Sequence, residues 1–197
     1  QHTYSWSENE RANMCFAGYG TNVKADFMIY PATSDSRRTI EFDLDCAVVD
    51  THTLDGAGFL LNSAVDNNIL NGYALYYQWT SATAANAQLR QITNYNTMAN
   101  AATAASNETL PGTVMSGQSK SVSLPSGTKL RIRVVLERDK VTVTQRTYTG
   151  NTMGPEVVLF DKVSLPIQAK NGNGFGPIVG YKSHGCQSMT YFQYGDL

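Results

Sequence analysis

The chain has 197 residues, a formal net charge of −1, and 42% hydrophobic but only 16% charged residues, against about 25% charged in an ordinary globular protein. Asn, Thr, Ser, Gln and Gly supply the remaining polarity, a surface common in secreted β-rich proteins. The densest cationic stretches are Arg37-Arg38 and the spaced Arg131 and Arg133, so the electrostatic footprint of nucleic-acid binding is missing, and no apolar run reaches the roughly 18 residues of a membrane helix.

The opening QHTYSWSENERANMC has no hydrophobic core of an export signal, so the chain reads as a mature or excised segment. Strand signals then recur. ADFMIYP (25–31) is apolar and aromatic. RTIEFDLDCAVV (38–49) alternates, with Ile40, Phe42, Leu44 and Cys46 on one side and Glu41, Asp43 and Asp45 on the other. GAGFLLNSAV (56–65) follows Gly turns, and LNGYALYYQW (70–79) carries the densest aromatics. AQLRQITNY (87–95) alternates again, while NTMANAATAASNETL (96–110) is Ala-rich and reads as one short helix or a long loop. KLRIRVVLER (129–138) is the clearest strand, and Asp139-Lys140 turns it into the β-branched VTVTQRTY (141–148). VVLFDKVSL (157–165) follows, then the Gly/Asn loop AKNGNGFG (169–176), then GPIVGYKSHG (176–185) and SMTYFQYGDL (188–197). Short strands with turn signals every 8–12 residues or so predict a sandwich or barrel. Without a linker or an internal repeat, residues 1–197 read as a single domain.

The order of these segments resembles the concanavalin A-like lectin/glucanase jelly roll, with laminin-G-like sandwiches among its relatives. The resemblance rests on the alternating acidic strand, GAGFLLN, NGYALYYQW, the hairpin LRIRVVLERDKVTVTQ, and the closing GPIVGYKSHGC and TYFQYGDL, and covers the chain from about residue 23. It implies an all-β fold, a two-sheet antiparallel β-sandwich with at most one short helix, and often a carbohydrate groove on the concave sheet. The same scaffold carries lectins, glycosidases and adhesion modules, so function has to come from the site.

Three readings compete for the acidic row. Glu41-Phe42-Asp43-Leu44-Asp45 resembles the carboxylate motif of laminarinase- and lichenase-type glucanases, with Glu41 as nucleophile and Asp43 assisting. The third position departs, since Asp45 stands where the acid/base Glu would be, and Arg37-Arg38-Thr39 stands where a Trp often precedes the motif. Residues i and i+4 of a strand are ~13 Å apart at Cα, whereas retaining catalysis needs carboxyl groups about 5–5.5 Å apart. The shorter Asp45 makes that convergence harder. A cation site is the second reading, because jelly-roll lectins often use Ca2+, which prefers oxygen ligands. The Asp/Asn-dense turns offer better ligands than the strand does: Asp50, Asp55, Asp66, Asn67 and Asn68. Those residues also simply favour turns. The third reading is cross-strand pairing of the row with Arg131 and Arg133, which removes the repulsion and needs no function.

Strand 70–79 supplies the ligand-binding candidates. Alternation puts Tyr73, Leu75, Tyr77 and Trp79 on one face, and Ala74, Tyr76 and Gln78 on the other. If the first face is open, Tyr77 and Trp79 form a stacking platform with Asn62, Gln78 and Gln91 as hydroxyl partners; otherwise those rings are core. Of three cysteines, Cys46 reads as a buried thiol, while Cys15 and Cys186 either form a disulfide joining neighbouring first and last strands or stay reduced. The reading that results is a non-catalytic, extracellular or cell-surface module of a longer chain with neighbouring domains, binding glycan or a surface protein, without nucleic acid or a membrane span. The alternatives are a β-glucan hydrolase on Glu41, Asp43 and Asp45, and a structural spacer of an adhesin.

Overall fold

A computed structural model of the chain describes residues 3–6, 26–27, 29, 37–45, 56–81, 83–96, 112–123, 128–168, 172–179 and 188–196. Every regular element among them is a strand: β1 (Thr3–Trp6), β2 (Asp26–Phe27), β3 (Arg38–Asp45), β4 (Gly56–Asp66), β5 (Ile69–Ser81), β6 (Ala84–Asn96), β7 (Thr113–Ser123), β8 (Lys129–Glu137), β9 (Lys140–Thr149), β10 (Thr152–Met153), β11 (Val157–Ser164), β12 (Gly174–Val179) and β13 (Ser188–Asp196). All pairings are antiparallel and fall into two sheets. One is seven-stranded, in the order β1-β13-β3-β8-β9-β10 with β11 also on β9; the other is six-stranded, in the order β2-β12-β4-β5-β6-β7. This is the expected all-β, two-sheet antiparallel β-sandwich of the jelly-roll kind.

Alternation places the core. In the first sheet Ile40, Phe42 and Leu44 of β3 pair with Val134, Ile132 and Leu130 of β8, and Val141 and Val143 of β9 continue the layer. In the second, Phe59 and Leu61 of β4, Leu75 and Tyr77 of β5, and Ala85, Ala87 and Leu89 of β6 face them, and all belong to one buried cluster. Phe42 stacks on Phe59 at 5.2 Å between ring centroids, joining the sheets, and Phe59 stacks on Phe175 of β12 at 6.3 Å. Each large apolar side chain sealed here contributes roughly 1.5–3 kcal/mol.

Local chemistry sets the turns. Asn67 and Asn68 close the β4–β5 hairpin with φ of 47° and 64°, the left-handed pair that a two-residue hairpin needs and that Asn tolerates. Gly72 lies at φ +143°, where an added Cβ would come within 2.1 Å of the Ser63 hydroxyl. Glycine thus lets β5 press against the bulge of β4.

β7 was not expected as a strand. TVMSGQSKSVS lacks alternation, and Val122 is its one buried residue. It forms because β6 offers a backbone edge, and an edge strand needs little apolar surface. β12 begins at Gly174, inside the stretch expected to be a loop. The segment expected as a helix or loop lies, beyond Asn96, outside the described residues, as do Cys15 and most of the stretch around Cys186.

Candidate functional site

The outer face of the seven-stranded sheet holds the acidic row. β3 and β8 run antiparallel with Asp43 opposite Arg131 and Glu41 opposite Arg133. Arg131 reaches both carboxylates: Nε and Nη2 donate to Asp43, the second at 3.1 Å, and Nη1 donates to Glu41 at 2.8 Å. Lys129 Nζ lies 3.0 Å from Asp43 Oδ2, and the Tyr148 hydroxyl of β9 donates to the same oxygen at 3.4 Å. The Asp43 side chain is only 1% exposed. Burial acts to lower the pKa of the Arg131 guanidinium, but its bonds to Asp43 and Glu41 override this and raise it above its ordinary value. Burial, with the Asp43 charge second, pushes the Tyr148 hydroxyl up, so it stays a donor. Lys129 also sits 5.0 Å from the centre of the Tyr148 ring. Glu41 and Asp43 are therefore paired across the strands with Arg131, as the third reading expects in part; Arg133 joins no ion pair among the described residues, and the Asp45 side chain lies outside them. Asp43, the assisting position of the glucanase motif, is sealed among the donors of Arg131, Lys129 and Tyr148. Asp45 occupies the end of β3 opposite Lys129 in the backbone register.

The outer face of the six-stranded sheet is chemically different. Cross-strand register aligns Gln78 with Asn86 and Tyr76 with Gln88, and Asn86 with Ser121 and Gln88 with Ser119 of β7. Gln88 Nε2 donates to Gln78 Oε1 at 2.9 Å, Arg90 Nη1 donates to Gln88 Oε1 at 2.8 Å, and Arg90 Nη2 donates to the Gly112 carbonyl at 2.6 Å. Burial holds the Arg90 pKa below its ordinary value, with the Tyr76 charge opposing. A second buried cluster, Leu60, Leu70, Ala74, Tyr76, Ile92 and Ile178, continues the face towards β4 and β12. Planar amides, a guanidinium and serine hydroxyls thus lie side by side, next to this buried apolar cluster, and Gln88 is itself buried. Gln78, Asn86 and Arg90 are half-buried, and Ser119 and Ser121 are exposed.

The expected ligand residues divide between core and surface. Tyr77 is fully buried, and its hydroxyl donates to Gln145 Oε1 of β9 at 2.9 Å. Its ring is core, which corrects the reading of it as a platform: on this strand the face shared with Tyr73 and Leu75 points at the partner sheet. Asn62 is also corrected. It sits in the β4 bulge at φ 44°, 1% exposed, and its amide donates to the Arg138 and Leu165 carbonyls, each at 2.9 Å. It clamps the β8–β9 turn rather than meeting a ligand. Gln91 is exposed opposite Tyr73, and Gln78 lies on the outer face. The side chain of Trp79 lies outside the described residues, although its backbone pairs with Ala85. Of the metal candidates, Asp50 and Asp55 fall outside the described residues, while Asp66 and Asn67 are exposed in the β4–β5 turn. Among the described residues no group of three acidic, His or Cys side chains converges on a cation position. Asn86, Gln88, Arg90 and the two serines were missed because none is aromatic or acidic; only the register of three strands makes them a group.

No protein-family model and no curated protein matches the chain. Among solved structures it is similar to the legume lectin-like domain from Entamoeba histolytica, at 13% identity and TM-score 0.45, over 89% of this chain and 81% of that one. It is similar to the VIP36 exoplasmic/lumenal domain in its Ca2+/Man2-bound form, at 11% identity and TM-score 0.47, over 89% of this chain and 74% of that one. A third is the Bacteroides ovatus xyloglucan PUL GH43B protein, at 11% identity and TM-score 0.45, over 87% of this chain and only 29% of that longer one. These are distant likenesses of fold alone.

Proposed function

We propose that the chain is a non-catalytic, lectin-like module that binds carbohydrate on the outer face of β5, β6 and β7. The observation that carries this reading is the row of Gln78, Asn86, Gln88 and Arg90 beside Ser119 and Ser121. Sugar hydroxyls need donors and acceptors fixed in place, and amides offer both in one plane. The bonds among Gln78, Gln88 and Arg90 hold those groups before a ligand arrives, which lowers the ordering cost of binding. The paired state of Glu41 and Asp43 supports a binding role over hydrolysis. On this reading the 197 residues form one domain of a longer extracellular or cell-surface protein, with glycan as the partner. Among the described residues no helix is long and apolar enough to cross a membrane.

A glycan array with the isolated chain tests the reading. We expect binding that the double variant Asn86→Ala/Gln78→Ala weakens at least tenfold while the unfolding midpoint stays close to wild type. Binding that the double variant leaves unchanged would overturn the placement. Turnover of a β-glucan that Glu41→Gln abolishes would replace the module with a hydrolase.

A further inference from the structure

Among the described side chains, the ion pairs on the outer face of the seven-stranded sheet leave some cations over. Strand alternation directs Lys129, Arg131 and Arg133 of β8 and Arg146 of β9 to the same side as Glu41 and Asp43. Lys129 and Arg131 close on Asp43, and Arg131 also closes on Glu41. Arg146 meets Glu156 at 3.6 Å, with both side chains at least 40% exposed, a pair of the kind that contributes little. Arg133 remains. It stands directly opposite Glu41, yet Glu41 is taken by Arg131. Arg133 is exposed and makes no ion pair among the described residues.

What surrounds Arg133 limits its ligand. Its neighbour on β9 is Thr144, and the neighbour of Thr144 on β11 is Val158, which is 58% exposed. A strip Glu41–Arg133–Thr144–Val158 therefore crosses four adjacent strands, about 14 Å at the usual strand spacing. It offers one unspent guanidinium, a hydroxyl, an apolar end and, at the other end, a carboxylate. A closely charged polyanion such as nucleic acid would meet Glu41 and be repelled. A molecule with one anionic group among hydroxyls fits better: the guanidinium takes the charge in its planar fork, and Glu41 and Thr144 accept hydroxyl hydrogens.

We propose that this strip is a second ligand surface, on which Arg133, flanked by Arg146 and Thr144, binds the carboxylate or sulfate of an acidic saccharide. It lies on a different sheet from the amide row and does not rest on the carbohydrate reading given there.

The test follows the arginine Nε–H signals by NMR while the full chain is titrated with glucuronate, glucose 6-sulfate, inorganic sulfate or glucose. The expected result is a saturable shift of the Arg133 signal with glucuronate or with glucose 6-sulfate, the stronger of the two identifying the anion. Glucose should produce no shift. Followed on the neighbouring Arg146 signal, Arg133→Ala should weaken that binding at least tenfold and Arg133→Lys less. Arg37→Ala, at an arginine paired with Glu137, serves as the control. The proposal is overturned if the Arg133 signal does not saturate, if Arg133→Ala and Arg37→Ala act alike, or if inorganic sulfate binds as tightly as either sugar acid.

Discussion

Asp43 shows how one side chain acquires its role from its neighbours. Nothing about an Asp on an alternating strand says whether it will be solvated or sealed, but Arg131, Lys129 and Tyr148 converge on it and leave its side chain 1% exposed. Asp43→Asn keeps the shape and removes the charge, leaving two cations side by side. The expected loss is about 2–3 kcal/mol, by the usual worth of hydrogen bonds to charged groups, read from urea unfolding. The Arg37–Glu137 pair, with both side chains close to half exposed, should by contrast give less than about 1 kcal/mol. The phenol beside Asp43 adds a pH signature. The folded chain holds the Tyr148 proton more tightly than the unfolded chain does. That contribution is complete below the ordinary tyrosine value of 10.0 and fades as pH rises through the higher folded value. Tyr148→Phe should flatten this part of the alkaline stability curve. Tyr77 belongs to the same scale. Tyr77→Phe should cost about 1–2 kcal/mol by stranding Gln145, and should leave glycan binding as it was, because the ring faces the core.

At the level of single elements, β4 is held by its irregularity. The bulge between Leu61 and Ala64 lets Asn62 turn its amide to the Arg138 and Leu165 carbonyls. A regular strand would have left those two carbonyls without that donor. Asn62→Ala removes both bonds and also places a residue with a Cβ but no polar group at φ 44°, a conformation that Asn tolerates better than Ala. The expected loss is about 2–4 kcal/mol; Asn62→Gly relieves the backbone but not the lost bonds and should cost less. Calorimetry on the two variants separates the two contributions. β7 makes the complementary point. Its sequence carries little apolar periodicity because β6 supplies its partner and, among the described residues, no strand pairs its other edge. Gly117 at φ 71° and the exposed Lys120 interrupt that edge, a common way to discourage strands of other chains from adding on.

Across the whole molecule, both sheets close on one apolar layer, so urea should unfold the described body in a single transition followed alike by fluorescence and far-UV circular dichroism. The pairing of β13 with β3 and of β12 with β4 joins segments far apart in the chain, so refolding should take milliseconds to seconds rather than microseconds. These non-local pairings also mark the boundary of what could be read in advance. The inward faces of β3, β8 and β9 were legible because Ile40, Phe42 and Leu44, then Leu130, Ile132 and Val134, then Val141 and Val143 repeat with the period of two that a half-buried strand requires. The match between the acidic row and Arg131 was legible for the same reason. Which face of β5 would be core was not: Tyr73, Tyr77, Ala74 and Tyr76 are all buried, so hydrophobicity did not separate the two faces. The amide row was not legible either, since Gln78, Asn86, Gln88 and Ser121 become neighbours only through register. The sequence by itself determined the strand periodicity, the turns and the two-layer architecture, all of which are local consequences of side-chain alternation and left-handed turn residues. Tertiary structure alone decided that Tyr77 and Asn62 serve the core, that Glu41 and Asp43 share Arg131, and that Arg133 is left without an ion-pair partner among the described residues, because each outcome depends on which strand lies alongside.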